Sequence, residues 1–537
     1  MPEVKYDDAW HLYDGSLMSY FTKPDGKTAS VDEISSAVQD WHAKNPGYRG
    51  DDGKLRAFAL NEGWKKGPEL LNTGPDYDKN GINSAGWHGW PSNMQEYDTN
   101  PQKAFIFDYG PSIGYQLNIQ LRPGEKLTRN WFNKGLFIPG DKDSCPLKND
   151  RSYLGFQTRL GDKAPGRVGN GTLEYIVPLA SGVFKTGALL ADNLASTADD
   201  KAAPAVHAAD TAKPGVLILR MPSSYIYHTG TVDLKAAVGP GGSIALSFSD
   251  NNGLDWKAVK TLDSAGDQKI DLSDLCYARY DYRLKFEFNG QGTGLDALKI
   301  THDIQHAQTP LPLLLEGENT ITFNAGAAEG TITYEGNPNI DEAKTTRVIN
   351  GQNKTIKQLA LVDYHPEING CGTKLLQVGD TGRGEVTFKV ATPGEMTRLR
   401  TNGFYRARDA SEGWDVEASF DAGKTFNKVA RWDKGQPANS KYTVFSAVPE
   451  GTKEALVRLK GQQRNTLCIF GLRIDADYKE PCGGFAPVKI TYVWDEGGAE
   501  KRNEHVCKSP QETYKITCGP KTVSKSIILE LAGPDSK

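Results

Sequence analysis

Gly413-Trp414-Asp415-Val416-Glu417-Ala418-Ser419-Phe420-Asp421-Ala422-Gly423-Lys424-Thr425-Phe426 carries the information that decides the fold. Trp414, Val416, Ala418 and Phe420 recur at every second position, which is the period of a strand with one face buried. The run then breaks into Ser419-Phe420-Asp421-Ala422-Gly423-Lys424-Thr425-Phe426, a turn with its own chemistry. A short acidic side chain accepts backbone N–H groups inside such a turn. Gly supplies a positive φ without steric cost, and the closing aromatic packs beneath the loop. The pattern also occurs 170 residues earlier. Ile244, Leu246 and Phe248 alternate and lead into Ser249-Asp250-Asn251-Asn252-Gly253-Leu254-Asp255-Trp256. Both turns fit Ser-x-Asp/Asn-x-Gly-x-Thr/Asp-aromatic, the second as a full match and the first as a variant.

This turn resembles the Asp-box hairpin, a structural element of glycan-related and extracellular proteins. The similarity continues downstream. Tyr282 to Ile304 and Val457 to Ala476 each run as a strand, a turn with Gly and Gln, and an apolar strand ending near Asp303 or Asp475. The expectation is a mainly β chain: an N-terminal α+β fragment, two related antiparallel β-sandwiches and a small β tail. The boundaries read as 1–140 for the N-terminal block with a loop-rich extension, 141–209 for a connecting segment, 210–310 for the first sandwich, 311–374 for connecting strands, 375–480 for the second sandwich and 483–537 for the tail. Residues 186–215, rich in Ala, Asp, Thr and Pro, read as a linker or long surface loop. Tyr115, Leu117, Ile119 and Leu121 read as a strand closed by Pro123-Gly124. Ser30 with Glu33 forms a capping box before a helix bearing Ile34, Val38 and Trp41.

Composition bounds the function. The 537 residues correspond to about three or four domains. Lys and Arg number 63 against 67 Asp and Glu, a net charge of −4, so neither nucleic-acid nor anionic-membrane binding is expected. The 57 Gly and 29 Pro favour many turns and short strands. Mean hydropathy is −0.53, and the aliphatic stretch at Leu311–Leu315 is too short for a membrane span. Seven cysteines with no Cys-x-x-Cys pair give no structural zinc motif. Cys507 with Cys518, and Cys468 with Cys482, are spaced for bridges across hairpins; buried free thiols are the competing reading. Extracellular or periplasmic placement is expected from the β-rich modules, although the first residues contain no signal peptide.

Pro2-Glu3-Val4-Lys5-Tyr6-Asp7-Asp8-Ala9-Trp10-His11-Leu12-Tyr13-Asp14 opens directly on a strand, a bend and a second strand, as though the chain starts inside a domain. It resembles the last catalytic strands of the transglutaminase-like (papain-like cysteine) superfamily, with Glu3, Val4, Trp10 and Asp14 on the matching positions. The resemblance implies that Asp14 is the acid orienting the His of a Cys-His-Asp triad. That His would lie before Met1 and the nucleophile earlier still. The first cysteine here is Cys145, after Asp14, which is the wrong order. The expected function is therefore a binding or structural envelope module lacking the nucleophile, or the C-terminal part of a longer cysteine acyltransferase or protease. The bland reading makes Asp14 a turn acid beside Gly15.

Other segments point to a carbohydrate-binding or carbohydrate-active protein, a lyase or hydrolase, as the alternative. Trp87 and Trp90 in Gly86-Trp87-His88-Gly89-Trp90 suit stacking on sugar rings, and His88 would serve as a base or a ligand, with packing in a small core as the competing role. Arg129 and Lys134 would hold a carboxylate such as that of a uronic acid, unless they form an ion-paired turn with Glu125. Asp76, Asp78 and Asn80, followed by Gly81, match the start of a calcium loop. Position 12 is Trp87, so Glu96 or Asp98 would have to close the shell; a plain Asx turn is the competing reading. The implied partners are a polysaccharide or another envelope protein, and calcium is the one cofactor suggested. No Gly-x-Ser-x-Gly, His-Glu-x-x-His or phosphate-binding Gly-rich motif occurs.

Overall fold

A computed structural model describes residues 3–13, 20–44, 69–70, 119–131 and most of 171–533; within the last range 278, 307–310, 327, 341–343, 350–351, 358, 373–375, 377, 380–381, 408–409, 434–438, 463–468 and 482–483 fall outside the description. The chain is mainly β, in several antiparallel sheets. At the N-terminus, β1 (Glu3–Tyr6) and β2 (Ala9–Leu12) form a hairpin, followed by helix α1 (Val31–Lys44). The helix starts where Ser30 and Glu33 cap each other: Ser30 N–H donates to Glu33 at 2.8 Å and Glu33 N–H donates to Ser30 Oγ at 3.1 Å. Ile34 turns into the core, fully buried.

The first sandwich is built from β3 (Glu125–Asn130), β4 (Gly171–Ile176), β5 (Leu190–Asp192), β6 (Leu194–Ser196), β7 (Val206–Ala208), β8 (Gly215–Arg220), β9 (Ile226–Tyr227), β10 (Thr231–Ala237), β11 (Ser243–Ser249), β12 (Lys257–Leu262), β13 (Gly266–Asp271), β14 (Arg283–Asn289) and β15 (Gly294–Gln305). One layer runs β12-β11-β14-β8-β5, and the other contains β13-β10-β15-β4-β3. The alternating apolar positions of both layers meet in one core, including Ile244, Leu246, Phe248, Leu284, Phe286, Phe288, Val232 and Ile300. Each such large side chain stabilises by about 1.5–3 kcal/mol relative to exposure.

Two expectations are corrected here. Residues 186–215 are not a linker: they supply β5, β6, β7 and the start of β8. Their small side chains fit against the sandwich, and Leu194, Ala195, Val206 and Ala208 are buried. The strand read at 115–121 does not extend to Leu121. Ile119 and Leu121 pack on the core, but the ladder begins only at Glu125, after the Pro123-Gly124 turn. Gly124 has φ of +91°, and a side chain there would strike the Ile176 carbonyl.

After β16 (Gly317–Asn324), the second sandwich contains β17 (Glu329–Gly336), the hairpin β18 (Lys344–Ile349) with β19 (Gln352–Lys357), β20 (Glu367–Asn369), β21 (Arg383–Ala391), β22 (Met396–Tyr405), β23 (Gly413–Ser419), β24 (Asn427–Trp432), β25 (Asn439–Phe445), β26 (Glu454–Gln462) and β27 (Ile469–Lys479). Its layers are β24-β23-β26-β21-β20 and β25-β22-β27-β17. Strand for strand, this is the order of the first sandwich, from β4 matching β17 to β15 matching β27. Even the irregularities correspond. The ladder slips between Leu246 and Ser247 in one copy and between Val416 and Glu417 in the other. The duplicated unit therefore covers 171–305 and 329–479.

Both repeat turns form the bonds expected of them. Gly253 N–H donates to Ser249 Oγ and Asp255 N–H to Asn251 Oδ1, at 2.9 and 3.0 Å. Gly423 N–H donates to Ser419 Oγ and Thr425 N–H to Asp421 Oδ1, both at 2.9 Å. The closing aromatic is covered by a cation from the neighbouring strand: Lys285 over Trp256 and Arg458 over Phe426.

The C-terminal strands are β28 (Val488–Glu496), β29 (Ala499–Cys507), β30 (Gln511–Cys518) and β31 (Thr522–Leu531). Through β31 and β3 they continue the layer of the first sandwich, while β30 pairs with β16 to form a facing two-stranded sheet. No bridge joins Cys507 to Cys518; both thiols are free and buried. Cys507 ends β29 opposite Val488, whereas Cys518 ends β30 opposite Gly317, so the two strands do not form the hairpin ladder the pairing needs. Among the described residues no helix is long and apolar enough to cross a membrane.

Candidate functional site

The two repeats meet across polar outer faces, and a cleft of about 260 Å³ lies between them. This is somewhat below the about 300–1,000 Å³ usual for small-ligand sites. The joint beside it is specific. Asn251 donates from its amide to the Asp363 carbonyl at 2.9 Å, Asn252 donates to the Thr333 carbonyl at 3.0 Å, and His365 Nε2 sits 2.9 Å from Asp255. These bonds explain why the first turn is a variant. Asn251 must accept from its own turn and also donate to the other repeat, which the carboxylate of Asp421 cannot do.

The cleft walls carry many charges, most of them paired. Arg220 donates from Nε to Asp281 at 2.7 Å and from Nη1 to Tyr478 at 2.8 Å. Arg279 Nε donates to Asp250 at 2.9 Å. On the second repeat, Arg473 Nε donates to Asp475 at 2.8 Å, and Thr333 donates to the same carboxylate at 2.7 Å. Behind them Arg400 grips Asp477 with two bonds of 2.7 and 2.8 Å; Arg400, Asp475 and Asp477 are all buried. This bidentate geometry holds the carboxylate of Asp477 below its ordinary range despite burial, which acts the other way.

Two charged side chains stand apart. Arg283 follows inward-facing Tyr282 on β14, so alternation turns it outward, beside Arg220 in register on β8. Its guanidinium makes no hydrogen bond or ion pair with a described residue. Burial, with Arg220 adding and Asp281 opposing, lowers its pKa. Glu335 on β17 lies opposite Arg473, but Arg473 is committed to Asp475. The Glu335 carboxylate likewise makes no hydrogen bond or ion pair with a described residue. Glu335 is an exposed residue of β17, yet it lines the enclosed cleft. This enclosure pushes its carboxyl up to about 7, with Arg473 opposing and Asp475 adding. Tyr280, 47% exposed, offers a ring on the same wall, and Tyr364 donates to the Glu335 carbonyl at 3.1 Å.

A second concavity, about 820 Å³ and more open, lies over β10, β13, β15 and the chain after β4. Its lining residues include Lys235, Lys269 and Lys299 but no aromatic ring, so it lacks a stacking surface.

Of the candidate catalytic, ligand-binding and metal residues read from the sequence, only Arg129 falls within the described structure. It lies on β3, and its Nη1 donates to Tyr225 at 3.3 Å. Glu125 pairs instead with Arg122, at 2.5 Å. Asp14, Asp76, Asp78, Asn80, Trp87, His88, Trp90 and Lys134 lie outside the described residues, so the triad-acid, calcium and Trp-site readings have no geometry here. Glu3, Val4 and Trp10 lie on the β1–β2 hairpin. Sequence reading missed Arg283, Glu335 and Tyr280. The first two occupy ordinary outward positions of alternating strands and carry no local mark.

No protein-family model matches the chain, and no curated protein matches its sequence. Solved structures with some likeness include allantoicase from Saccharomyces cerevisiae (7% identity, 49% of this chain and 77% of that one, TM-score 0.17), an isomalto-dextranase from Arthrobacter globiformis (10%, 53% and 39%, TM-score 0.14) and a xanthan lyase from Paenibacillus (12%, 53% and 24%, TM-score 0.13). Overlaps this slight fix no role for any residue, and the chemistry of the cleft rests on its own side chains.

Proposed function

We propose that this chain is a carbohydrate-binding protein of tandem β-sandwiches, and that it takes an acidic saccharide in the cleft between the repeats. The observation that carries this reading is a pair of charges with no partner among the described residues, Arg283 and Glu335, on the walls of one cleft. An uncompensated guanidinium, partly removed from water, favours a planar carboxylate such as that of a uronic acid. The exposed ring of Tyr280 gives the apolar face of a sugar a surface to stack on. A polysaccharide partner and an extracellular or periplasmic setting go with this reading. The test is calorimetric titration of the full chain with oligouronates and with neutral oligosaccharides of equal length. Oligouronate binding that drops at least about tenfold in Arg283→Ala supports it. Equal affinity for neutral and acidic sugars, or no binding of either, overturns it.

Catalysis on the bound sugar is a second reading, favoured by Glu335. A carboxyl titrating near 7 can hold a proton at neutral pH and deliver it to a leaving oxygen. Release of reducing ends or unsaturated products from oligouronates, abolished in Glu335→Gln with binding retained, is the expected result. Binding without turnover in the wild type removes this second reading. The transglutaminase-like reading of residues 2–14 stays a proposal for the N-terminal hairpin alone. Peptides mapping before Met1 in the native protein, carrying a Cys and a His, are its test.

A further inference from the structure

At the C-terminal end of the fold, outside the residues that line the cleft, three different metal-binding side chains converge. His505 and Cys507 are two apart on β29 and so share one face of the strand. Glu512 comes from the start of β30, across the turn after Cys507. A ring nitrogen of His505, the sulfur of Cys507 and a carboxylate oxygen of Glu512 all lie within 4.8 Å of one another. His505 Nε2 is 2.6 Å from Glu512 Oε1. Lys508 N–H donates to the other Glu512 oxygen at 2.8 Å, and the His505 ring stacks on Tyr514 at 3.9 Å, so both side chains are held in place. Cys507 is buried at the edge of the small core formed by Ile490, Tyr492, Trp494 and Ile516. His505 and Glu512 keep 30% and 26% of their side-chain surface, leaving a path from solvent.

We propose that His505, Cys507 and Glu512 form a zinc site with a fourth position open to water. The donor set is one thiolate, one imidazole and one carboxylate, which suits a borderline-soft ion of tetrahedral habit and poorly suits calcium or magnesium. Metal–ligand bonds of about 2.0–2.3 Å at tetrahedral angles place donor atoms roughly 3.3–3.7 Å apart. The three donors reach that spacing if Glu512 withdraws slightly from His505. Binding displaces the thiol proton, which goes to solvent. Location gives the site a purpose. β29 pairs with β28 while β30 pairs with β16, so few backbone bonds tie the two layers of this unit together, and Cys507 and Cys518 do not bridge them. A metal ion would staple β29 to β30. Small β units with little core commonly need such a cross-link.

The test is titration of the full chain, stripped with chelator, with Co²⁺ as the zinc analogue. The expected result is a near-ultraviolet thiolate-to-cobalt band, intense visible bands of tetrahedral cobalt, and displacement by Zn²⁺. Zn²⁺ should also raise the unfolding midpoint of the C-terminal unit. Cys507→Ser should lose the thiolate band, and Glu512→Gln should weaken Co²⁺ binding by about tenfold or more, since loss of even an outer hydrogen-bond partner of a metal ligand costs that much. If Cys507→Ser does not fold, His505→Gln read by the same band replaces it. Absence of the band in the wild type overturns the proposal in favour of a plain His–Glu pair beside a core thiol. A band that survives unchanged in these variants overturns it by placing the metal on another cysteine.

Discussion

Arg220 Nη1 donates to the phenol oxygen of Tyr478 at 2.8 Å, joining β8 of the first repeat to β27 of the second across 258 residues. The same guanidinium holds Asp281 and the Thr331 carbonyl. One side chain thus closes a corner of the cleft and locks the angle between the sandwiches.

Replacing Arg220 by Met keeps most of the packing but leaves the Asp281 carboxylate and the Thr331 carbonyl without this donor. Asp281 keeps 28% of its side-chain surface, so the expected cost is about 1.5–3 kcal/mol, the range for hydrogen bonds to charged groups. Urea unfolding followed by tryptophan fluorescence should show that loss, with the single transition splitting as the repeats uncouple. An unchanged midpoint would mean that the joint is held elsewhere.

Asn251→Asp removes the amide donor to Asp363 and sets a second carboxylate against Asp255, which Asn251 now holds at 2.8 Å. The expected loss is about 1–3 kcal/mol, the penalty for an unmatched buried polar group. Asp421→Asn, the same position in the other repeat, meets no partner across the joint and should cost less. Equal losses for the two substitutions would contradict the role given to Asn251.

Asp477→Ala removes the two-bond partner of Arg400, which is only 2% exposed, and leaves its guanidinium with Asp475 at 3.3 Å; the expected cost is about 3 kcal/mol. Replacing Arg400 and Asp477 together by apolar residues of similar volume should recover much of that loss, because the under-paired guanidinium is then gone and Asp475 keeps Arg473. Denaturant midpoints of the single and double variants decide the matter, and a double variant as unstable as the single one would rule the argument out.

Glu335 should impose a pH dependence on stability. Its carboxyl titrates at about 7 in the folded protein against an ordinary 4.5. Between these values the folded state keeps a proton that the unfolded chain has released. Its contribution is therefore fully present below about pH 4.5, declines as pH rises towards 7, and is lost above that. The decline should be absent from Glu335→Gln. Melting temperatures of the two proteins from pH 4.5 to 8 provide the comparison, and parallel curves would count against the cleft environment described for this residue.

Much of the fold was legible in the residues. The alternation of Trp414, Val416 and Ala418, and of Ile244, Leu246 and Phe248, requires strands with one buried face, and the two Ser-x-Asp/Asn-x-Gly turns betray the duplication. The capping pair Ser30 and Glu33 marks its helix because capping is local. Residues 186–215 were illegible for the opposite reason. Three-residue strands such as Leu194–Ser196 are too short to show a period, and their Ala-rich composition imitates a loop.

By itself, then, the sequence determined the strand pattern, the hairpin chemistry and the existence of a repeated unit, all of which depend on neighbours within about a dozen residues. Only the tertiary structure decided that Arg283 and Glu335 share a cleft, that Asn251 serves the other repeat, and that His505, Cys507 and Glu512 converge. An outward-facing charge on a strand looks the same in sequence whether water or a second sandwich covers it. Its role is set by the partner that folding brings opposite, and that partner can lie anywhere in the chain.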